Sequence, residues 1–156
     1  MTPRSFPSET RVKVVPSTEL AVVELTCTNG HGKPLLLYCF YHPDESLEPL
    51  LKLNLSLCKN NKSTCVVVIG DFNLPELGWS GNRSGPINTG SRADRNIFCE
   101  LLGDNFFQQF IPSPMHIIGN KLDLLLTNWP EIIDYILTSH LREGLFPSNL
   151  YAIEFR

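Results

Sequence analysis

The sequence predicts a single α/β domain built as a two-sheet sandwich. Segments rich in β-branched residues outnumber the helical segments, which favours a sandwich over a doubly wound parallel sheet. Cys65 to Ile69 form an apolar run without polar alternation, which indicates a strand covered on both faces. Apolar side chains recur at helical spacing in segments 47–61 and 93–105. With 156 residues, the chain is long enough to bury one core.

The first elements are expected to be strands. Residues 1–11 are polar and carry prolines, so we expect a flexible lead-in followed by one domain over 12–156. Val12–Val15, Glu19–Thr28 and Pro34–Tyr41 are apolar and rich in β-branched or aromatic residues. A cluster of Asn and Gly separates the last two of these segments, as in a turn. The pattern predicts strands joined by a hairpin.

A surface helix and a central strand follow. Over Leu47–Asn61 five apolar residues recur at helical spacing and predict one buried face: Leu47, Leu50, Leu51, Leu55 and Cys58. Ser46 stands where it can cap the helix start. The apolar run Cys65–Ile69 then predicts a strand that ends at Gly70 and Asp71. Because no polar residue interrupts this run, we expect the strand to lie in the middle of a sheet.

The second half of the chain is expected to be a long loop, one helix and more strands. Residues 80–92 are rich in Gly, Ser, Asn and Arg, and loops of this length are commonly functional or mobile. Ala93–Asn105 carries a short helical stripe of apolar residues. Four further short strands are predicted between Pro, Gly and Asn breaks: Phe106–Ile111, Lys121–Thr127, Ile132–Thr138 and Leu150–Phe155.

Charge and cysteine content narrow the class of protein. The formal net charge of -3 gives no general electrostatic reason to bind nucleic acid, although nucleases that hold Mg²⁺ with carboxylates can be acidic. Five cysteines, with no CxxC pair, indicate reduced and buried thiols. The sequence has no signal-peptide pattern and no apolar stretch long enough to span a bilayer. We therefore expect a soluble intracellular protein, cytoplasmic or nuclear, without a membrane partner.

The segment Gly70-Asp71-Phe72-Asn73 lies where the predicted central strand ends. Strand ends are where α/β folds commonly present catalytic side chains. A carboxylate such as Asp71 can orient and deprotonate a water molecule. An amide two residues on shares its side of an extended chain and can hydrogen-bond a phosphate oxygen. The alternative interpretation is a Gly-Asp turn with an Asn that caps backbone amides.

A longer set of motifs resembles a known family. The string VVVIGDFNLPELGW, residues 66–79, is similar to the endonuclease domain of the reverse-transcriptase polyproteins of non-LTR (LINE-type) retrotransposons, in the endonuclease/exonuclease/phosphatase superfamily. Residues 35–46, LLLYCFYHPDES, resemble the family's strand ending in Tyr-Arg-Pro. Residues 120–128, NKLDLLLTN, resemble its Asn-x-Leu-Asp-Leu-Val-Leu-Thr-Asn element, and residues 148–153 stand at its Ser-Asp-His.

The resemblance implies a fold, a reaction and residue roles. It implies a four-layer α/β sandwich that lacks its N-terminal strands, with Mg²⁺ or Mn²⁺ as cofactor and hydrolysis of DNA phosphodiester bonds as the reaction. Asp71 would activate the water and bind the metal, Asn73 would position the water and the phosphate, and Tyr41 would contact the phosphate. Asp123 would orient a histidine.

Absent opening strands would also affect the core. They would leave a sheet edge unpaired and core residues such as Val22, Leu36 and Val67 under-covered. Low stability and poor solubility are the expected consequences.

The sequence departs from the family at several of these positions. Where the family has Asp-His, this chain has Asn149 and Leu150. The family's metal-binding Glu lies on an early strand. Glu19 and Glu24 both lie later in the chain than that early strand, just before the hairpin that leads to Tyr41, so neither is expected to replace the metal-binding Glu.

His42 stands where the family has an Arg and is expected to bind phosphate less well. His116 and His140 are candidate substitutes for the missing histidine, although surface histidines are the commoner case. We therefore expect an inactive enzyme.

Other residues have two interpretations. Arg83, Arg92 and Arg95 are candidates for binding a DNA backbone, and solvated loop charge is the alternative. Trp79 and Trp129 could stack on bases or pack against the sheet rim. For the whole chain, the rival functions are a DNA- or protein-binding module that uses the fold without chemistry and a phosphatase of the same superfamily.

Overall fold

The structure is a computed structural model. It describes residues 9–14, 19–26, 34–43, 46–74, 77–79, 86–87, 93–111, 123–133, 136–140 and 151–155. Side chains are described for residues 19–25, 34–43, 46–74, 77, 93–111 and 124–133.

The described residues form ten strands, two α-helices and one 3-10 turn. In chain order they are β1 Glu9–Val14, β2 Leu20–Thr26, β3 Leu35–Tyr41, α1 Glu48–Cys58, β4 Cys65–Asp71, β5 Gly78–Trp79, β6 Pro86–Ile87, α2 Ala93–Asp104, β7 Gln108–Gln109, β8 Asp123–Thr127, the 3-10 turn Pro130–Ile132, β9 Ile136–His140 and β10 Tyr151–Phe155.

A mixed sheet of six strands organises the fold. Its order is β1-β2-β3-β4-β8-β7, and β3 and β4 are its parallel pair. Parallel neighbours need a crossover, which α1 supplies between them. The other neighbouring strands pair antiparallel. β9 pairs with β10 in a separate hairpin, and β5 pairs with β6. The mixed α/β class predicted from the sequence is confirmed at this level, and the four-layer arrangement stays a prediction.

The central position predicted for β4 is confirmed. It lies between β3 and β8, and its residues from Cys65 to Val68 are buried. Its alternate side chains join two clusters on opposite faces of the sheet. Val66 and Val68 belong to one cluster with leucines of α1 and α2 and with Phe98 of α2, whereas Val67 packs with Phe110, Ile111 and Leu125. Because neither face of the strand is exposed to solvent from Cys65 to Val68, apolar side chains are needed at every position there, without polar alternation.

Several boundaries differ from the sequence prediction. β1 begins at Glu9, inside the predicted lead-in, because its residues pair with β2 from Glu9↔Thr26 to Val14↔Ala21. β7 is only Gln108–Gln109, because Phe106 has a φ of 55° and lies in the turn that follows α2 rather than in a strand. The 3-10 turn ends at Ile132, so β9 begins only at Ile136. Leu47 rather than Ser46 is the N-cap of α1, so the predicted cap is wrong, although the Ser46 hydroxyl accepts the N–H of Glu48 at 3.4 Å.

The expected under-coverage of the core is wrong at two of its three positions. Val22 is 6% exposed and Val67 is 2% exposed, and Leu36 is partly buried. Val22 is covered because it belongs to the cluster that α1 and α2 complete. On the other face, Val67 is covered by the segment that follows α2.

Four of the five cysteines lie in the described residues, and all four are thiols that form no disulfide. Cys65 is buried and Cys99 is partly buried, but Cys39 and Cys58 are exposed, so the prediction that the thiols are buried is wrong for these two. Among the described residues, no helix is long and apolar enough to cross a membrane.

We expect alkylation to distinguish these thiols. Burial, with the nearby charge of Glu100 second, raises the pKa of Cys99, so less of the reactive thiolate exists at a given pH. With iodoacetamide under native conditions, Cys39 and Cys58 should react first and Cys65 and Cys99 later, as followed by peptide mass spectrometry. Equal rates for Cys58 and Cys65 in folded protein would contradict this burial pattern.

Candidate functional site

Three predicted site positions lie on one rung at one end of the six-stranded sheet. β3 and β4 are parallel and end together, and the register pairs Tyr41 with Asp71. β8 runs antiparallel to β4 and begins at this end, where Asp123 pairs with Asp71. We call Tyr41, Asp71 and Asp123 the strand-end row. Neighbouring strands lie about 4.8 Å apart, so the backbone brings the three positions close together.

Glu19 extends this row on its other side. Its carbonyl oxygen accepts the N–H of Tyr41 at 2.8 Å, which places it immediately before β2 at the same end of the sheet. Reasoning from chain order set Glu19 aside, but antiparallel pairing brings the start of β2 beside the end of β3. The pKa of Lys52 on α1 is raised, chiefly by its hydrogen bond to Glu48 and also by the negative charge of Glu19. The carboxylate of Glu19 therefore lies close enough to α1 to interact with the charge of Lys52.

Asp71 and Asn73 form a compact turn at the end of β4. One carboxylate oxygen of Asp71 accepts the N–H of Asn73 at 2.9 Å. Asn73 has a φ of 46°, a left-handed conformation that Asn tolerates better than most residues. The extended chain expected between the two residues is therefore wrong, and the turn brings them together instead. The alternative prediction, a turn at this segment, therefore describes the backbone correctly. The chemical roles of Asp71 and Asn73 stay predictions.

His42 is turned into the protein. Its side chain is 0% exposed, its Nδ1 lies 2.8 Å from the carbonyl oxygen of Phe72, and its Nε2 lies 2.7 Å from that of Ser46. Its ring also stacks on Phe40, with centroids 6.3 Å apart. A neutral imidazole can donate to one of these carbonyls and an imidazolium to both. The predicted substrate-binding role of His42 does not agree with this placement, because both nitrogens face backbone oxygens.

Hydrogen bonds join the loops that follow β3 and β4. The backbone N–H of His42 donates to the carbonyl of Asp71 at 2.8 Å, and the Asn73 side chain donates to the carbonyl of Pro43 at 3.3 Å. Together with the His42 ring, these contacts hold the two loops against each other. Tyr41, beside them, remains 50% exposed and open to a ligand.

Gly70 allows β3 and β4 to approach closely just before the strand-end row. Its φ is 154°, and a Cβ built there would overlap the backbone carbonyl of Phe40, its partner in the register. A glycine inside a strand commonly marks such an approach. The backbone that presents Asp71 therefore requires glycine immediately before it.

The structure does not bring the predicted arginines to this site. Arg83 and Arg92 lie outside the described residues, as do Asn149, Leu150 and His116. The side chain of His140 is also outside them. Arg95 lies on α2 and is only 4% exposed, so its predicted contact with a DNA backbone does not agree with its burial.

The described side chains do not by themselves make a site for Mg²⁺ or Mn²⁺. Such ions take several oxygen ligands, usually including carboxylates. Among the residues with described side chains, no three His, Cys, Asp or Glu residues are grouped to share an ion. Asp71 offers a half-buried carboxylate, and one of its oxygens already accepts the Asn73 N–H. The metal-binding role of Asp71 therefore stays a prediction.

The fold and the row define a class of protein. The chain has an α/β fold with a mixed sheet, and its helices pack on one face of that sheet. Polar residues lie together where neighbouring strands begin and end. Open α/β sheets commonly build their binding and catalytic sites in this place.

Comparison with known structures agrees with this class. The chain is similar to an endonuclease/exonuclease/phosphatase family protein from Leptotrichia buccalis C-1013-b, with a TM-score of 0.56 and 10% sequence identity. The similarity covers 96% of this chain and 61% of that protein, so this chain spans about three fifths of its length. At this identity the similarity shows the fold alone. No protein-family model and no curated protein matches the sequence.

Proposed function

We propose that this chain is an endonuclease domain of the non-LTR retrotransposon type that no longer hydrolyses DNA. The observation that carries the proposal is the strand-end row. Tyr41, Asp71 and Asp123 stand in three separate sequence motifs that resemble that family, and the strand register pairs them on one rung. Three motifs that are distant in sequence thus meet at one end of the sheet, which a shared site requires.

The loss of hydrolysis follows from the residues that replace the family's acid-base group. Leu150 stands where the family has its histidine, and a leucine side chain can neither donate nor accept a proton. Asp123 then has no histidine to orient at that position. Loss of a positioned general acid-base group costs on the order of 10²- to 10⁴-fold in rate.

The replacement of the family's Arg by His42 adds a second loss. The ring nitrogens of His42 lie 2.8 and 2.7 Å from backbone carbonyl oxygens, so the side chain supports the loops instead of facing a phosphate. A guanidinium can hold a phosphate with two parallel hydrogen bonds, which this buried imidazole cannot reproduce. Phosphate contact at the row would then depend on Tyr41 and Asn73.

The test is nicking of supercoiled plasmid in Mg²⁺ or Mn²⁺. We expect the unmodified chain to nick no faster than Asp71→Ala or Asp71→Asn. The Asn variant is the matched control, because its side-chain oxygen can still accept the Asn73 N–H while the charge is removed. Leu150→His alone should not restore nicking, since Asn149 still replaces the family's Asp.

One outcome would reverse the claim of inactivity. If the unmodified chain nicks DNA and both Asp71 variants do not, the row is an active centre that uses an acid other than the family's histidine. Metal-dependent release of phosphate from small phosphate esters, without nicking, would favour the phosphatase alternative.

A further inference from the structure

A groove opens at the end of the sheet opposite the strand-end row. A cavity of about 430 Å³ lies between the C-terminal ends of α1 and α2, with Val66 at the start of β4 in its wall. A second cavity of about 260 Å³ shares Lys62, Thr64 and Asn128 with it and includes Trp129. We call the two together the far groove. Its larger part is in the size range of small-molecule sites.

Phe106 lines this groove at a backbone position where a large side chain is unusual. Its φ is 55°, and it is 75% exposed. Its N–H donates to Gly103 and the N–H of Phe107 donates to Leu102, which is the helix-ending motif that normally places Gly at this position. A large side chain here strains the backbone and buries little surface. Strained, exposed residues of this kind are concentrated at binding sites.

A second aromatic residue lies at the other part of the groove. Trp129 is 38% exposed and follows β8, and its backbone N–H donates to the Thr127 hydroxyl at 3.0 Å. Phe106 lines the first cavity and Trp129 the second, and the shared residues lie where the two cavities meet. The groove therefore has an aromatic surface in each part.

The polar wall between the aromatic residues is held in place by hydrogen bonds. The Asn128 amide donates to the Thr64 carbonyl at 2.8 Å, and its oxygen accepts the Val66 N–H at 2.9 Å. The oxygen of Asn61 accepts the Ser63 N–H at 3.1 Å. Lys62 adds an exposed cationic side chain. A wall that is already ordered needs little rearrangement to bind a ligand.

We propose that the far groove binds an unpaired nucleobase that carries a phosphate. An exposed aromatic ring stacks on any base, and a lysine suits the phosphate. The Asn128 amide uses one N–H and one oxygen lone pair within the protein, and its second N–H and second lone pair suit a base edge. Asp104, also in the wall, offers an acceptor to an exocyclic amino group. The same chemistry occurs in a free nucleotide and in a single-stranded oligonucleotide. The site is separate from the strand-end row, and its existence does not depend on hydrolysis there.

Calorimetric titration with AMP, adenosine, a short oligo(dA) and its duplex with oligo(dT) tests the proposal. We expect saturable binding of AMP or single-stranded oligo(dA) below about 1 mM, with weaker binding of the duplex, whose bases are stacked and paired. The indole N–H resonance of Trp129, assigned with Trp129→Phe, should shift on binding. Binding of AMP identifies a nucleotide as the source, and binding of the oligonucleotide alone identifies a single strand.

Two variants with matched controls locate the ligand. Phe106→Gly should weaken binding by roughly 5- to 150-fold through lost stacking. It should also raise the melting temperature by roughly 2–4 °C, because Gly suits the left-handed helix end, so the loss cannot come from unfolding. Lys62→Ala should weaken AMP but not adenosine. Leu55→Ala and Lys52→Ala, exposed positions on α1 outside the groove, should change neither affinity.

Three results would overturn the proposal. They are the absence of saturable binding of every probe, binding of the duplex as tightly as the single strand, and unchanged affinity in a folded Phe106→Gly protein.

Discussion

Gly70→Ala is expected to destabilise the protein by about 4 kcal/mol or more, which places it among the most damaging single substitutions. The added Cβ would overlap the carbonyl of Phe40, and alanine is strained at a φ of 154°. Relief requires β3 and β4 to separate next to Tyr41 and Asp71, in the middle of the sheet. Urea unfolding followed by circular dichroism would measure the loss, which is a large part of the stability of an ordinary domain.

Gly103→Ala is the matched control for this substitution. Gly103 lies near the end of α2, and a Cβ there would meet no atom within 4 Å. Alanine favours helix over glycine, so this variant should be more stable than the parent by roughly 0.5–1 kcal/mol. Opposite signs for the two Gly→Ala changes are the expected result. A Gly70→Ala protein within about 1 kcal/mol of the parent would show that β3 and β4 do not pair as closely as described.

His42→Ala is expected to cost about 3–5 kcal/mol. A carbonyl of Phe72 or Ser46 that loses the ring N–H as its donor costs about 1–3 kcal/mol, and the missing ring would leave a cavity beside Phe40. The same denaturant titration would measure the change. A Leu55→Ala control, at a position 62% exposed on α1, should stay within about 0.5 kcal/mol of the parent.

Two conservative variants separate the contributions of the two ring nitrogens. His42→Asn places a side-chain nitrogen near the position of Nδ1 and can retain the bond to Phe72. Gln places one near the position of Nε2 and can retain the bond to Ser46. Each should recover part of the stability lost in His42→Ala. If neither is more stable than the Ala variant, hydrogen bonds to these two carbonyls do not account for the stability that His42 provides.

Much of the fold could be predicted from local patterns. The apolar run Cys65–Ile69 predicted a strand buried on both faces, and β4 has clusters on both of its faces. The apolar spacing of 47–61 predicted α1, but the predicted buried face is wrong at most positions. Leu50 is buried, whereas Leu51, Leu55 and Cys58 are exposed, and Leu53 and Leu57 complete the buried face instead. Phe106 was predicted to begin a strand. Its apolar character fits a strand, and the left-handed helix end that it forms carries no sequence signal when Gly is absent.

For the candidate site, the sequence by itself determined which residues are candidates and that each stands at the end of an apolar segment. Only the tertiary structure decided which of them meet. Strand register places Tyr41, Asp71 and Asp123 on one rung, and antiparallel pairing brings Glu19 beside them although chain order had excluded it. The tertiary structure also buries His42 and Arg95, which the sequence had suggested as ligand-binding residues. The physical reason is that periodicity and turn residues act over a few positions, whereas strand pairing and burial depend on segments that are distant in the chain.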